Sequence, residues 1–129
     1  MQILLNSRFR LVAFVLWCLS WPGIAVALLT PLPFRLISRT DLLGHFLLFF
    51  VMTTAVIAFA RGRLQIVTLA FLTIVYGVAL EFGQAYVPGR TFDIADAIAN
   101  GVGGIVGCLA ALILFERLFA IASTPQSRP

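Results

Sequence analysis

Four long apolar runs, separated by short polar segments, dominate this chain of 129 residues. They cover residues 11–30, 42–60, 66–85 and 94–120. Each run approaches or exceeds the roughly 20 residues that an α-helix needs to cross about 30 Å of hydrocarbon. Backbone groups in lipid must bond within their own segment, and the sequence lacks the alternating short strands of a barrel. We therefore predict an all-α integral membrane bundle of four transmembrane helices.

The overall composition agrees with a membrane location. Mean hydropathy is +1.06 and only 11% of the residues are charged, which excludes an ordinary soluble domain. The formal net charge of +4 comes from nine arginines without any lysine, and most of these flank the apolar runs. Because the positive charge follows the ends of the runs, it indicates membrane topology, and we predict no nucleic-acid partner.

The distribution of arginine predicts the orientation. Six arginines lie in the termini and in the loop between the second and third runs, namely Arg8, Arg10, Arg61, Arg63, Arg117 and Arg128. The other two loops carry three, Arg35, Arg39 and Arg90. The positive-inside rule then places both termini in the cytoplasm. We predict a multi-pass protein of the bacterial inner (cytoplasmic) membrane, with a cytoplasmic lead-in over 1–10, a membrane domain over 11–122 and a disordered cytoplasmic tail over 123–129.

The first run has some features of a signal peptide. Arg8 and Arg10 precede an apolar stretch, and Ala25-Val26-Ala27 is similar to a cleavage site. The apolar stretch continues to Leu29, which is long enough to remain in the bilayer, so we expect a retained helix.

The two cysteines suggest no special chemistry. Cys18 and Cys108 lie inside apolar runs and have no C-x-x-C spacing. We expect small buried hydrophobic side chains here, and neither a disulfide framework nor a zinc site.

The fourth run carries a stripe of polar and small residues on one helical face, because its members are three or four residues apart. Along the helix they are Asp93, Asp96, Asn100, Gly103, Gly107 and Ala110. Gly103 and Gly107 form a G-x-x-x-G pattern, which is typical of tight helix packing in membranes. The pattern fits a partner helix in the same chain, and it equally fits a second copy in a homo-oligomer.

Polar side chains also mark the outer ends of the second and third runs. An ionisable group near the bilayer centre costs about 2.5–3.5 kcal/mol, so such groups are expected to face protein or a water-filled cavity. Short loops between antiparallel helices bring these groups to a similar depth. We therefore predict a polar cup at the outer leaflet, formed by Asp41, His45, Glu81, Gln84, Arg90, Asp93, Asp96 and Asn100.

Several of these residues also have a purely structural explanation. Asp93 suits the N-cap of the fourth helix, with Asp96 at N3 completing a capping-box-like arrangement. Asp41 suits a helix start, where the dipole favours a carboxylate. Arg90 could bind lipid phosphate or neutralise Asp93, and Asn100 could simply bond to a neighbouring helix.

His45 and Glu81 are harder to explain in this way. Asp41 is the local polar partner of His45, and Glu81 has no adjacent counter-charge along its helix. Both side chains therefore require partners across the bundle, and both are candidates for a functional role together with Asp96.

These residues occur in stretches that resemble the VanZ-like family of small membrane proteins. The stretches are 41–46 (DLLGHF), 76–84 (YGVALEFGQ) and 87–103, the last of which reads P-G-R-x-x-D-x-x-D-x-x-x-N-x-x-G from its second residue. The resemblance spans about residues 41–107. It implies a cell-envelope membrane protein of a family named for teicoplanin resistance, an antibiotic-resistance context. The eight residues of the predicted cup correspond to the family's recurring polar positions.

Three functions compete. The first is binding of a lipid, a lipid-linked glycan or a lipophilic glycopeptide, with Arg35, Arg39 and Arg90 contacting phosphate. The second is an enzyme acting on an envelope lipid, in which His45 is a general base or metal ligand. Glu81, Asp93 and Asp96 would then supply acid–base groups or ligands to a divalent metal, although the spacing selects no particular ion. The third, proton-coupled transport, ranks last because no ionisable group lies at mid-depth.

Overall fold

The computed structural model of the chain describes residues 6–30, 38–88 and 90–123, and these form a helical bundle without strands. All four predicted membrane helices are present, and each is long and apolar enough to cross a bilayer. The chain is a multi-pass membrane protein. The helices are α1 (Ser7–Leu29), α2 (Ser38–Thr54, continued by a 3₁₀ turn over Ala55–Ala58), α3 (Arg63–Gln84) and α4 (Ile94–Ser123).

The helix ends differ slightly from the apolar runs. α1 already begins at Ser7, where the Asn6 side chain accepts a hydrogen bond from the backbone N–H of Arg8 at 2.9 Å. This polar cap lets the helix start within the predicted lead-in. The predicted tail beyond Ser123, the start of the lead-in and the loop with Arg35 lie outside the described residues, as does the side chain of Arg39.

The tightest contact in the bundle joins α4 to α2, and it uses the small-residue stripe. A Cβ placed on Gly103 would lie 2.3 Å from the carbonyl oxygen of Phe46, and one on Gly107 would lie 2.6 Å from that of Phe50. The contact between Gly103 and Phe46 is followed by one between Gly107 and Phe50, so the residue number rises by four on both helices. α2 and α4 therefore run parallel. The glycine hydrogens point at these oxygens, as in the Cα–H···O contacts found at close helix interfaces. The partner of the G-x-x-x-G face is therefore a helix of the same chain.

α3 packs antiparallel against both of these helices. Gly77 lets α3 approach α2, since a Cβ there would lie 2.6 Å from the ring of Phe49. On the other side, Gly104 of α4 meets the side chain of Ile74. One turn beyond Gly77 along α3 comes Glu81, which this register places beside α2 and α4.

α1 lies at the edge of the bundle and is held by aromatic side chains. The indole N–H of Trp17 donates to the carbonyl oxygen of Met52 at 2.9 Å, and the hydroxyl of Tyr76 donates to the carbonyl oxygen of Trp21. The rings of Trp17 and Phe59 are 5.5 Å apart. These hydrogen bonds satisfy the polar tips of Trp17, which is buried, and of Tyr76, which is partly buried.

Helix directions bring most of the acidic residues to one end of the bundle. α2 and α4 begin at this end, and α1 and α3 finish there. We refer to it as the cup face. The opposite end carries an exposed ion pair between Arg63 and Glu116, with Nε and Oε1 2.5 Å apart.

Candidate functional site

An imidazole at the cup face is surrounded by polar groups from three helices. Nδ1 of His45 lies 2.9 Å from Oδ1 of Asn100 and 3.5 Å from Oε1 of Glu81. Its Nε2 lies 3.9 Å from Oδ1 of Asp41 and also 3.9 Å from Oδ2 of Asp96. The side chain of His45 is only 2% exposed. We call these five residues the His45 cluster.

Local helix geometry explains why four of these side chains meet. Asp41 and His45 are four residues apart on α2, and Asp96 and Asn100 are four apart on α4, so each pair shares a face. Asp41 and Asp96 lie in the first turns of their helices. The first turns of α2 and α4 therefore each bring a carboxylate to the cup face.

Asn100 fixes the orientation of the imidazole. Its amide nitrogen donates toward the carbonyl oxygen of Gly77 at 3.3 Å and toward Oε1 of Glu81 at 3.5 Å. A flipped amide would direct its oxygen at these two acceptors, so we assign Oδ1 to the side facing His45. Nδ1 of His45 is then the N–H donor of that bond.

The other ring nitrogen of His45, Nε2, faces the carboxylates of Asp41 and Asp96. A neutral imidazole that carries its proton on Nδ1 has a lone pair on Nε2. Nε2 faces carboxylate oxygens of Asp41 and Asp96, which are themselves acceptors. When the imidazole is neutral, three acceptor atoms converge at the cup face, and they lie within 4.8 Å of one another.

Two more buried groups have unused hydrogen-bonding capacity. Glu81 is fully buried, and its Oε2 has no hydrogen-bond partner within the described part of the chain. Gln84, one turn further along α3, is 4% exposed, and its Nε2 is likewise without a partner there. Buried polar atoms are usually hydrogen-bonded, so these exceptions mark a place where the bundle does not satisfy its own polar groups.

The remaining two residues of the predicted cup lie at its edge. Asp93 is exposed and caps α4, because its Oδ1 accepts from the backbone N–H of Ala95 at 2.8 Å. Asp96 faces His45, so it does not complete the capping-box-like arrangement. The guanidinium of Arg90 donates to the carbonyl oxygen of Leu28 at the end of α1 and is not paired with Asp93. It also acts electrostatically on Asp96.

Gly77 belongs to the site although sequence reasoning did not select it. It lies in the middle of α3, its carbonyl oxygen accepts from Asn100, and its missing side chain makes room for Phe49 and Asn100. A glycine inside a helix is destabilising by about 1 kcal/mol relative to alanine. Its presence in the middle of α3 could therefore have indicated that a neighbouring helix packs closely against this position.

The fold and the buried polar cluster together define a polytopic membrane protein with a polar site at one end of its helical bundle. Comparison with known proteins agrees with this class. The VanZ/LLP1 family model matches residues 5–115, which include α1 to α3 and most of α4. The chain belongs to the VanZ/LLP1 family, as the resemblance predicted.

A curated relative extends the comparison to a eukaryote. The uncharacterized protein C11E3.10 of Schizosaccharomyces pombe is 33% identical over 98 residues, which cover 74% of this chain and 54% of the relative. The chain thus spans about half the length of the curated relative that it matches. No solved structure matches the chain.

Proposed function

We propose that the protein binds the polar headgroup of a membrane amphiphile at the His45 cluster. The ligand class is a lipid, a lipid-linked glycan or a lipophilic glycopeptide. The observation that carries this proposal is the excess of buried polar atoms over internal partners at the cup face, above all Oε2 of Glu81 and Nε2 of Gln84. Ligand groups that reach these atoms would remove the desolvation penalty of about 1–3 kcal/mol that each one carries.

The charges of the site favour particular headgroups. The His45 cluster contains three carboxylates, Asp41, Glu81 and Asp96, which accept hydrogen bonds when ionised. Hydroxyl and amine groups, as found on sugars and amino headgroups, are the natural partners of such acceptors. Arg90 at the edge of the cluster provides a guanidinium for a phosphate group.

Lipid analysis of the purified protein tests this proposal. We expect wild-type protein, extracted in mild detergent, to retain one headgroup class above its proportion in the membrane extract. Glu81→Gln preserves the shape of the side chain and removes a buried acceptor, so we expect it to lower that enrichment about 10-fold, the effect of losing about 1.4 kcal/mol of binding free energy. The measurement is mass spectrometry of the lipids that co-purify.

A matched control lies at the other end of the bundle. Glu116→Gln makes the same chemical change in the exposed pair with Arg63, so it should leave lipid retention unchanged. If no headgroup class is enriched in the wild type, or if the two variants behave alike, the headgroup proposal is wrong.

One feature of the site favours a second function, an enzyme acting on an envelope lipid. The lone pair on Nε2 of His45 is held between two carboxylates and is oriented by Asn100, which is an arrangement suited to a general base. His45→Gln separates the two functions. An enzyme would lose turnover of the retained lipid with retention intact, whereas a binding protein would show weaker retention and have no turnover to lose.

We also propose that both termini are cytoplasmic and that the cup face is the outer face of a bacterial inner membrane. The six-to-three distribution of arginine supports this orientation. A fluorescent protein fused after residue 129 is expected to fluoresce in bacterial cells, and alkaline phosphatase fused at the same point is expected to be inactive. A dark fluorescent fusion together with an active phosphatase fusion would place the termini outside the cytoplasm and the cup face on the cytoplasmic side.

A further inference from the structure

We propose that Asp41, His45 and Asp96 form a binding site for a divalent transition-metal ion, such as Zn²⁺ or Mn²⁺, at the cup face. The inference rests on the geometry of these residues and is independent of the headgroup proposal. A headgroup could bind with or without the ion, and the ion could bind without a headgroup.

The donor atoms are already close to a coordinating arrangement. Nε2 of His45 lies 3.9 Å from an oxygen of Asp41 and 3.9 Å from an oxygen of Asp96, and the three atoms fit within 4.8 Å. Ligand distances of about 2.0–2.2 Å around zinc put neighbouring donor atoms roughly 3–3.5 Å apart. Each Nε2–oxygen distance would have to shorten by less than about 1 Å to reach that range. The side chain of Asp41 is 40% exposed, so it is less confined by packing than His45.

The second ring nitrogen of His45 is held as a metal-binding histidine requires. Metal-ligating histidines almost always donate their other N–H to a carbonyl or carboxylate, which fixes the tautomer and the ring plane. Nδ1 of His45 donates to Asn100 at 2.9 Å, and Asn100 is itself held by Gly77 and Glu81. The free lone pair of Nε2 therefore points at the two carboxylates.

The imidazole of His45 is only 2% exposed, and its Nε2 faces the oxygens of both Asp41 and Asp96. Glu81 adds a further carboxylate on the Nδ1 side of the ring. It is fully buried, its Oε1 lies 3.5 Å from Nδ1 of His45, and its Oε2 has no hydrogen-bond partner in the described ranges. With Asp41 and Asp96 it brings three carboxylates to one imidazole. Among the described residues, Arg90 is the arginine that acts electrostatically on Asp96. Burying like charges at membrane depth is costly, and a dication would offset two of them.

The donor set also indicates the kind of ion. One imidazole nitrogen with two carboxylate oxygens is a mixed set, which suits zinc, manganese or iron. Calcium and magnesium favour sites built from oxygen ligands. Three protein ligands leave further coordination positions open to water or to a ligand oxygen, as in catalytic zinc sites.

A zinc titration without added lipid tests the site. Protein in detergent is stripped with a chelator, dialysed and titrated with Zn²⁺ in competition with a chromophoric chelator. We expect one Zn²⁺ per chain in the wild type. Because loss of an outer-shell partner alone weakens metal binding about 10–100-fold, we expect Asp41→Asn and His45→Gln to weaken it by more than about 100-fold.

Glu116→Gln is the matched control, because it neutralises an exposed carboxylate that pairs with Arg63 at the opposite end of the bundle from His45. It should bind Zn²⁺ as the wild type does. Circular dichroism checks the fold of each variant. If His45→Gln fails to fold, Asp41→Asn decides the question, because Asp41 is partly exposed. Absence of stoichiometric zinc in the wild type, or equal affinities for Asp41→Asn and Glu116→Gln, would overturn the proposal, while the lipid measurement would stand on its own.

Discussion

Replacing Gly103 with alanine is expected to destabilise the bundle by about 1–3 kcal/mol or more, the range found for overpacked interiors. The added methyl group would lie 2.3 Å from the carbonyl oxygen of Phe46 and close to two further backbone atoms of that residue. Backbone atoms cannot rotate away, so α2 and α4 would have to separate. The measurement is the unfolding free energy in mixed micelles with increasing denaturing detergent.

Gly101→Ala provides the control on the same helix. Apart from its chain neighbours and the nearby backbone of α4 itself, no heavy atom lies within 4 Å of the Cβ that this substitution adds. Because alanine favours a helix over glycine by about 0.8–1.0 kcal/mol, Gly101→Ala should leave stability unchanged or raise it slightly. Equal losses in both variants would mean that glycine matters for helix flexibility and that α2 and α4 are not in close contact.

Asn100→Leu is expected to have the second large effect. Leucine has the same number and branching of side-chain heavy atoms, but it removes the acceptor of the Nδ1 proton of His45 and the donor to Oε1 of Glu81. A buried polar group left without its partner costs about 1–3 kcal/mol, and a hydrogen bond between membrane helices averages about 0.6 kcal/mol. We expect a loss of about 1–3 kcal/mol in the same unfolding measurement, with helix content retained in folded protein.

Gln84→Leu is the matched comparison for this change. Gln84 is a buried amide at the same end of the bundle, and its Nε2 has no partner among the residues described. Removing an unsatisfied polar group should cost less than removing a satisfied one, and it can even stabilise. If Gln84→Leu proves more destabilising than Asn100→Leu, the hydrogen-bond network that we assign to Asn100 is not the one that holds the helices together.

The His45 cluster combines stability and function in one set of residues. Asn100 joins α4 to α2 and α3 through its side chain, and it also sets the ring orientation of His45. Gly77, Gly103 and Gly107 bring the three helices close enough for these short side chains to meet. The small residues are therefore as much a requirement of the site as the polar ones, because a wider bundle would separate the imidazole from its partners.

The sequence by itself determined the membrane spans and the positions of the polar groups along them. Run length and hydropathy predict four helices, because a backbone in lipid must satisfy its hydrogen bonds within each segment. The three- and four-residue spacings place Asp41 with His45, and Asp96 with Asn100, because the helical period is local. The capping role of Asp93 followed in the same way, from its position before an apolar run.

Only the tertiary structure decided which helices meet and which groups face each other. The G-x-x-x-G pattern of Gly103 and Gly107 predicted a close partner but did not identify α2 of the same chain. In the same way, no spacing places Glu81 beside His45, or joins Arg90 to Leu28 of α1. Residues distant in sequence become neighbours because whole helix surfaces fit together sterically. A local sequence pattern describes one of these surfaces and does not identify the surface that packs against it.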